Sequence, residues 1–336
     1  MKKTLINLQI AIIFFLPCLI SCNGQKPFGV EHLSLEKIVE LPDVQGRIDH
    51  MAINLRDNIV YVAALGNNTV EVVDLNKGSV VHSIKGLDEP QGICYIPVAN
   101  EIAIANGGNG QCVFYNASSY ATIATISLGG DADNIRYDER SNMLYVGYGN
   151  GGIAVIDATT HKKASEVKLS AHPESFQLDQ KRKVLFVNLP DDNSIAIINL
   201  QNLKVASTWE TNGLRANFPM TLDTSSGSVI VGFRHPATLV SYDAVTGKEQ
   251  SRTDLINDVD DVFFDEVKQE VFASGGGGAI TIFKKESDHS FKKIANISTR
   301  SGARTSLFVP SLGRLILAER SSGSKLAALA VYKIND

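Results

Sequence analysis

The apolar positions of this chain fall in short runs rather than in helical stripes. A run of about six residues, a small polar turn and a second apolar run closed by a polar residue recur along the chain. The first run reads IVYVAA at Ile59, EIAIAN at Glu101, MLYVGY at Met143 and VLFVNL at Val184, then SVIVGF at Ser228, EVFASG at Glu270 and RLILAE at Arg314. The second run closes at Asp74, Asn116, Asp157, Asn199, Asp243, Lys284 and Lys333. Equivalent positions Tyr61, Ala103, Tyr145, Phe186, Ile230, Phe272 and Ile316 stand 41 to 44 residues apart. No 3.6-residue apolar period accompanies the repeat, which excludes a helical solenoid. Runs such as Ile195-Ala196-Ile197-Ile198 are nearly continuous, as strands covered on both faces require.

A period of this length holding four short strands predicts an all-β, seven-bladed β-propeller with four antiparallel strands per blade. In each blade, the innermost strand A begins near Met51, Ile93, Ile135, Phe176, Met220, Val262 and Leu307, the two recurring runs are B and C, and a weaker outer run is D. The seventh copy has A, B and C and then stops. The stretch LEKIVEL, Leu35 to Leu41, reads as an orphan D strand that completes the last blade and closes the ring. The YVAA and YVGY strands, with VVDL and VIDA after a Gly/Asn turn, resemble YVTN-type repeat β-propellers, NHL-like proteins of bacteria. That resemblance covers nearly the whole chain after its leader and implies an extracytoplasmic protein, with no defined activity. Trp209 is the only tryptophan, so WD repeats and Trp-docking propellers fit poorly, and no sialidase Asp-box is present.

The leader changes the picture of where the protein works. Lys2 and Lys3, an apolar Leu5 to Leu16, and Leu19-Ile20-Ser21-Cys22 follow in the order of a lipoprotein signal peptide. The last four residues resemble the lipobox of bacterial lipoproteins, which implies cleavage after residue 21, lipidation of Cys22, a tether over residues 22–32 and a single propeller domain over 33–336. Ordinary secretion with cleavage nearby is the alternative. Asn23, rather than Asp, fits an outer-membrane anchor facing the periplasm, with surface exposure as the other placement. The formal net charge of −4 becomes more negative once the leader lysines go, so nucleic acid is not an expected partner. Contact with the membrane is expected through the lipid alone, and the protein as a monomer. Cys94 and Cys112 remain in the domain on strands A and C of one blade, with B between them. Next-but-one strands lie roughly 9–10 Å apart and a disulfide needs Cα atoms within about 7 Å, so both thiols are expected to be free and mostly buried.

Strand alternation puts the loops leading into A at the same end as the B–C turns. The A–B and C–D turns at the other end carry Asp, Asn and Gly in ordinary hairpin roles. The loops into A carry stronger hydrogen-bonding groups, which makes a polar site at the channel mouth the expectation. Its candidate residues are Asp49, His50, Gln91, Asp133, Asn134, Glu174, Asn217, Arg234, His235, Asp261, Arg304 and Arg320. Solvation of an ordinary propeller channel is the competing reading. The Gly-rich runs at Gly107 and Gly275 lack the Lys-Ser/Thr of a P-loop and read as B–C turns.

Two function classes follow. The first is a non-catalytic binding module that presents this face to a protein, peptide or glycan. The second is a metal-assisted, lactonase-like hydrolase or lyase. Its ligands would come from Asp49, His50, Asp133, Glu174 and Asp261, with Asn134 and Asn217 as further donors, around a divalent metal such as calcium. His50 or His172 would be its general base. In the competing reading of an ordinary solvated channel, Arg304 simply neutralises nearby carboxylates such as Asp49 and Asp261, and His50, His172 and His235 are ordinary hydrogen-bonded histidines.

Overall fold

The computed structural model describes residues 32–287 and 289–335. The leader, Cys22 and residues 22–31 of the tether lie outside the described residues. The strands form seven four-stranded antiparallel sheets, and the helical content among the described residues is three 3-10 turns. None of these is long and apolar enough to cross a membrane. The innermost strands of blades 1 to 7 are Met51–Asn54, Pro90–Ile96, Ala132–Asp138, Phe176–Asp179, Arg215–Asp223, Val259–Asp265 and Ser306–Val309. The fold is the seven-bladed propeller that the repeat predicts.

Blade 7 is completed by the N-terminal strand, Leu33–Leu41, in the sheet order Leu33–Leu41, Ala327–Ile334, Arg314–Glu319, Ser306–Val309. Leu33 stands opposite Ile334 and Leu41 opposite Ala327. The strand also carries the structural signature of a D strand. Each of the other six C–D pairs has a one-residue register shift at an equivalent place, beside Val72, Phe114, Val155, Ile197, Ser241 and Ile282. The closing strand has its own between Leu35 and Lys37. Such a bulge tightens the local twist, so the N-terminal strand reproduces the outer-strand geometry of every other blade.

The Asp or Asn that closes five of the C runs has a local role. Oδ1 of Asp74 accepts from the backbone N–H groups of Asn76 and Lys77. Asn116, Asp157, Asn199 and Asp243 do the same two and three residues on. These Asx turns end strand C and start the C–D hairpin. The core between blades is built of buried aliphatic and aromatic side chains, Phe186, Phe233 and Tyr242 among them. One cluster joins Val39 and Leu41 of the closing strand to Val60, Val62 and Val73 of blade 1 and to Ile316, Leu329 and Val331 of blade 7. Cys94 and Cys112 lie on the first and third strands of blade 2, and both thiols are free, as the strand spacing demands.

Candidate functional site

The loops into strand A are tied to the B–C turns of the same end by backbone hydrogen bonds. Gly66 donates to the Arg47 carbonyl at 2.9 Å, Gly107 to Glu89 at 2.9 Å, and Glu174 to Asn188 at 3.1 Å. Together they wall a polar cavity of about 450 Å³ at the channel mouth. It brings together Asp49, His50, Gln91, Asp133, Asn134, Glu174, Arg234, Asp261 and Arg304 from separate blades. One close approach needs glycine: a Cβ on Gly92 would lie 2.0 Å from the Asp133 carbonyl oxygen, so only Gly lets blade 2 seat Asp133 where it is.

Three predicted residues lie elsewhere. Asn217 is fully buried, and its amide donates to the Ser194 carbonyl at 2.9 Å and to Asn188 Oδ1 at 3.3 Å, which ties blade 5 to blade 4. His235 is exposed at the tip of the B–C hairpin, next to Pro236. Arg320 is exposed, its guanidinium lies against Gly302, and its carbonyl accepts from Arg300. Arg304 does not bridge to Asp49 and Asp261; its Nη1 is 2.9 Å from Asp258 and its Nε 3.2 Å from Asp260.

The cavity's cations are spoken for on one side. Arg234 pairs with Asp260 and stacks over the Phe218 ring at 3.9 Å, and Arg304 pairs with Asp258 and Asp260. Arg47 lies 2.7 Å from Asp49 Oδ2, and His50 Nδ1 is 2.8 Å from Asp49 Oδ1. Burial opposes a charge on His50, but hydrogen bonding to Asp49 and the field of Asp133 and Asp261 outweigh it and lift its pKa to about 9. His50 Nε2 is also 3.0 Å from the Asn134 amide nitrogen, whose carbonyl end accepts from Arg136 at 2.7 Å. Because a guanidinium only donates, that amide is turned with its donor end toward His50. The Asn134 contact therefore favours neutral His50, whereas the nearby carboxylates, Asp49 above all, favour the cation. Burial first, and then Asp260 and Asp49, raise Asp261 to about 7 despite the nearby His50.

Across the cavity stand Asp133, His172 and Glu174. Among the described residues no Lys or Arg forms an ion pair with Asp133 or Glu174. His172 Nδ1 is 2.6 Å from the Gly149 carbonyl, and its Nε2 lies 3.7 Å from Asp133 Oδ2. Asp133 is 7% exposed and its Oδ1 has no hydrogen-bond partner. Burial, then the Asp133 carboxylate, pushes the Glu174 carboxyl well above the usual range. His172 is raised too: burial opposes its charge, but Asp133 and the Gly149 carbonyl favour it more. One ligand atom from each of Asp133, His172 and Glu174 falls within 4.8 Å of the others. The other metal candidates, Asp49, His50 and Asp261, are engaged by Arg47, by each other or, for Asp261, by the Ser306 N–H at 2.7 Å.

Sequence reasoning passed over Arg47, Asp131, Asp191, Asp260 and Phe218, all of which line the cavity. It also passed over Arg136 beneath it. A second cavity of about 430 Å³ shares His50 and Asp261 with the first and is lined by Arg136. Arg136 lies two residues after Asn134 and its guanidinium donates to the Asn134 side chain at 2.7 Å, across an irregularity in the strand pairing that simple alternation does not foresee.

No family profile matches this chain. Among solved structures it is similar to a chain of one described as "Crystal Structure of Mitotic Checkpoint Complex", with a TM-score of 0.77, 16% identity, and coverage of 98% of this chain and 100% of that one. It is also similar to a chain of Kuenenia stuttgartiensis hydrazine synthase, with a TM-score of 0.75, 13% identity, and coverage of 87% of this chain and 98% of that one. At these identities the likeness supports the propeller fold alone.

Proposed function

We propose that this propeller is a binding module whose channel-mouth cavity captures a small polar ligand through a positively charged group. The observation that carries the reading is a charge imbalance. Arg47, Arg234 and Arg304 each have an aspartate partner, whereas Asp133 and Glu174 share only His172. A buried carboxylate and a half-buried one side by side destabilise each other unless a proton or a cation joins them. A cavity of a few hundred Å³ is the size at which small ligands are held.

The sequence further supports placing this module outside the cytoplasm on a lipid at Cys22, in the outer membrane of a bacterium, as a YVTN-type lipoprotein. Labelled palmitate incorporated by the wild type and not by Cys22→Ala would support the anchor, and equal labelling would remove it.

The binding reading is tested by melting the protein with spermidine, ethanolamine, ZnCl2, MnCl2 and CaCl2, in the wild type and in the double variant Asp133→Asn/Glu174→Gln. At least one of these cations should raise the wild-type midpoint and leave the double variant unmoved. No shift, or the same shift in both proteins, overturns the reading.

A second reading, a hydrolase or lyase, has the Asp49–His50 pair in its favour, since a buried carboxylate oriented by Arg47 fixes one imidazole nitrogen. Turnover of a lactone panel by the wild type, lost in His50→Gln, would favour it over the binding module.

A further inference from the structure

We propose that Asp133, His172 and Glu174 bind one divalent transition-metal ion, of the zinc or manganese class, with open coordination positions facing the cavity. This rests on the cation-binding reading above and names its cation. The three side chains come from two adjacent blades: Asp133 from the innermost strand of blade 3, and His172 and Glu174 from the loop into blade 4. Their ligand atoms converge within 4.8 Å.

Convergence of acids is not enough, and two further observations point to a metal. The first is the tautomer of His172. A carbonyl oxygen accepts and never donates, so at 2.6 Å from the Gly149 oxygen Nδ1 must carry its proton. In the neutral ring that leaves the Nε2 lone pair free on the side of Asp133. An imidazole whose remote N–H is held by a backbone carbonyl is the arrangement metal-binding histidines use. The second is Asp133, which is more than nine-tenths buried, lines the cavity and keeps Oδ1 without any donor. Leaving a buried acceptor unpaired is costly, so an absent partner is implied.

The donor set selects the ion. Calcium takes oxygen ligands throughout, whereas imidazole suits zinc and its first-row neighbours. Two carboxylates and a neutral imidazole balance a doubly charged ion. Three protein ligands at the wall of an open cavity leave room for water or a guest at the remaining positions.

The test uses the full-length protein purified without chelator, with metal content by elemental analysis and melting midpoints after chelator treatment and re-addition of ZnCl2, MnCl2 or CaCl2. One zinc or manganese per chain is expected, with a raised midpoint. Affinity should fall at least tenfold in His172→Ala and in Asp133→Asn, and Glu174→Gln should weaken it as well. Glu174→Gln also serves should His172→Ala not fold. Cobalt(II) gives a readout that a packing role would not move: its visible absorption should saturate at one equivalent in the wild type and change in His172→Ala. Equal metal binding in all variants, or calcium bound more tightly than zinc, overturns the assignment. If no metal binds while spermidine or ethanolamine still does, the metal site falls and the cation-binding cavity stands. If nothing binds, both fall.

Discussion

Glu36 and Arg314, 278 positions apart in the chain, face each other with two hydrogen bonds of 2.6 and 2.9 Å across the seam that closes the ring. The pair marks the seam but does not hold it. Both side chains are substantially exposed, and exposed ion pairs contribute about 0–1 kcal/mol. Leu33, Val39 and Leu41 of the same strand are buried, at about 1.5–3 kcal/mol each, against a total stability of about 5–15 kcal/mol.

Glu36→Ala should therefore lower the melting midpoint slightly, and deletion of residues 33–41 should abolish cooperative unfolding. Calorimetry of the two proteins checks this, and a deletion that melts like the wild type would refute closure by this strand.

Blades 5 and 6 are joined by an acid-sensitive contact. Asp223 is buried, which alone would raise its pKa, but Lys285 and the Ser225 and Ser226 hydroxyls hold it near about 2, below its ordinary 3.8. A depressed carboxylate adds stability that is complete above its unfolded pKa and is lost as pH falls through the folded one. The contribution is on the order of 2 kcal/mol and should fade between about pH 5 and pH 2. Urea unfolding of the wild type and Asp223→Asn over that range should converge at the acid end.

Glu174 has the opposite sign. Its folded pKa lies above the ordinary 4.5, so the folded state resists losing the proton and stability declines as pH rises past that value. Glu174→Gln has no charge to bury beside Asp133. In chelator it should melt higher than the wild type at neutral pH, with the gap closing toward pH 4. A lower midpoint would make Glu174 a structural residue.

Cys94 and Cys112 are both pushed up to about 12 by burial, and thiols react as thiolates. Iodoacetamide should leave their peptides unlabelled in the native protein and label both after denaturation. Native labelling would show that blade 2 opens.

The sequence carried the fold because each blade is built from local signals. The apolar run gives strands B and C, the closing Asp or Asn gives the Asx turn, and the spacing of copies gives the blade count. Even the split seventh blade was visible, since a missing D strand at one end matched a spare one at the other. The sequence also sorted the two ends of the ring by loop chemistry, and most of its candidate residues do meet in one cavity.

What it could not decide was which neighbours each side chain meets. Asn217 and Asp133 look alike as polar residues entering strand A. Yet Asn217 sits away from the cavity with its amide donating to a backbone carbonyl of blade 4, whereas Asp133 lines the cavity with Oδ1 lacking a donor. Arg304 had carboxylates on several loops to choose from, and its position beside Asp258 and Asp260 chose for it. These outcomes depend on distances of a few ångströms between residues from different blades, set by how the blades pack around the channel. Local sequence determines each blade; the closed ring alone determines which charges are neutralised and which still need a partner.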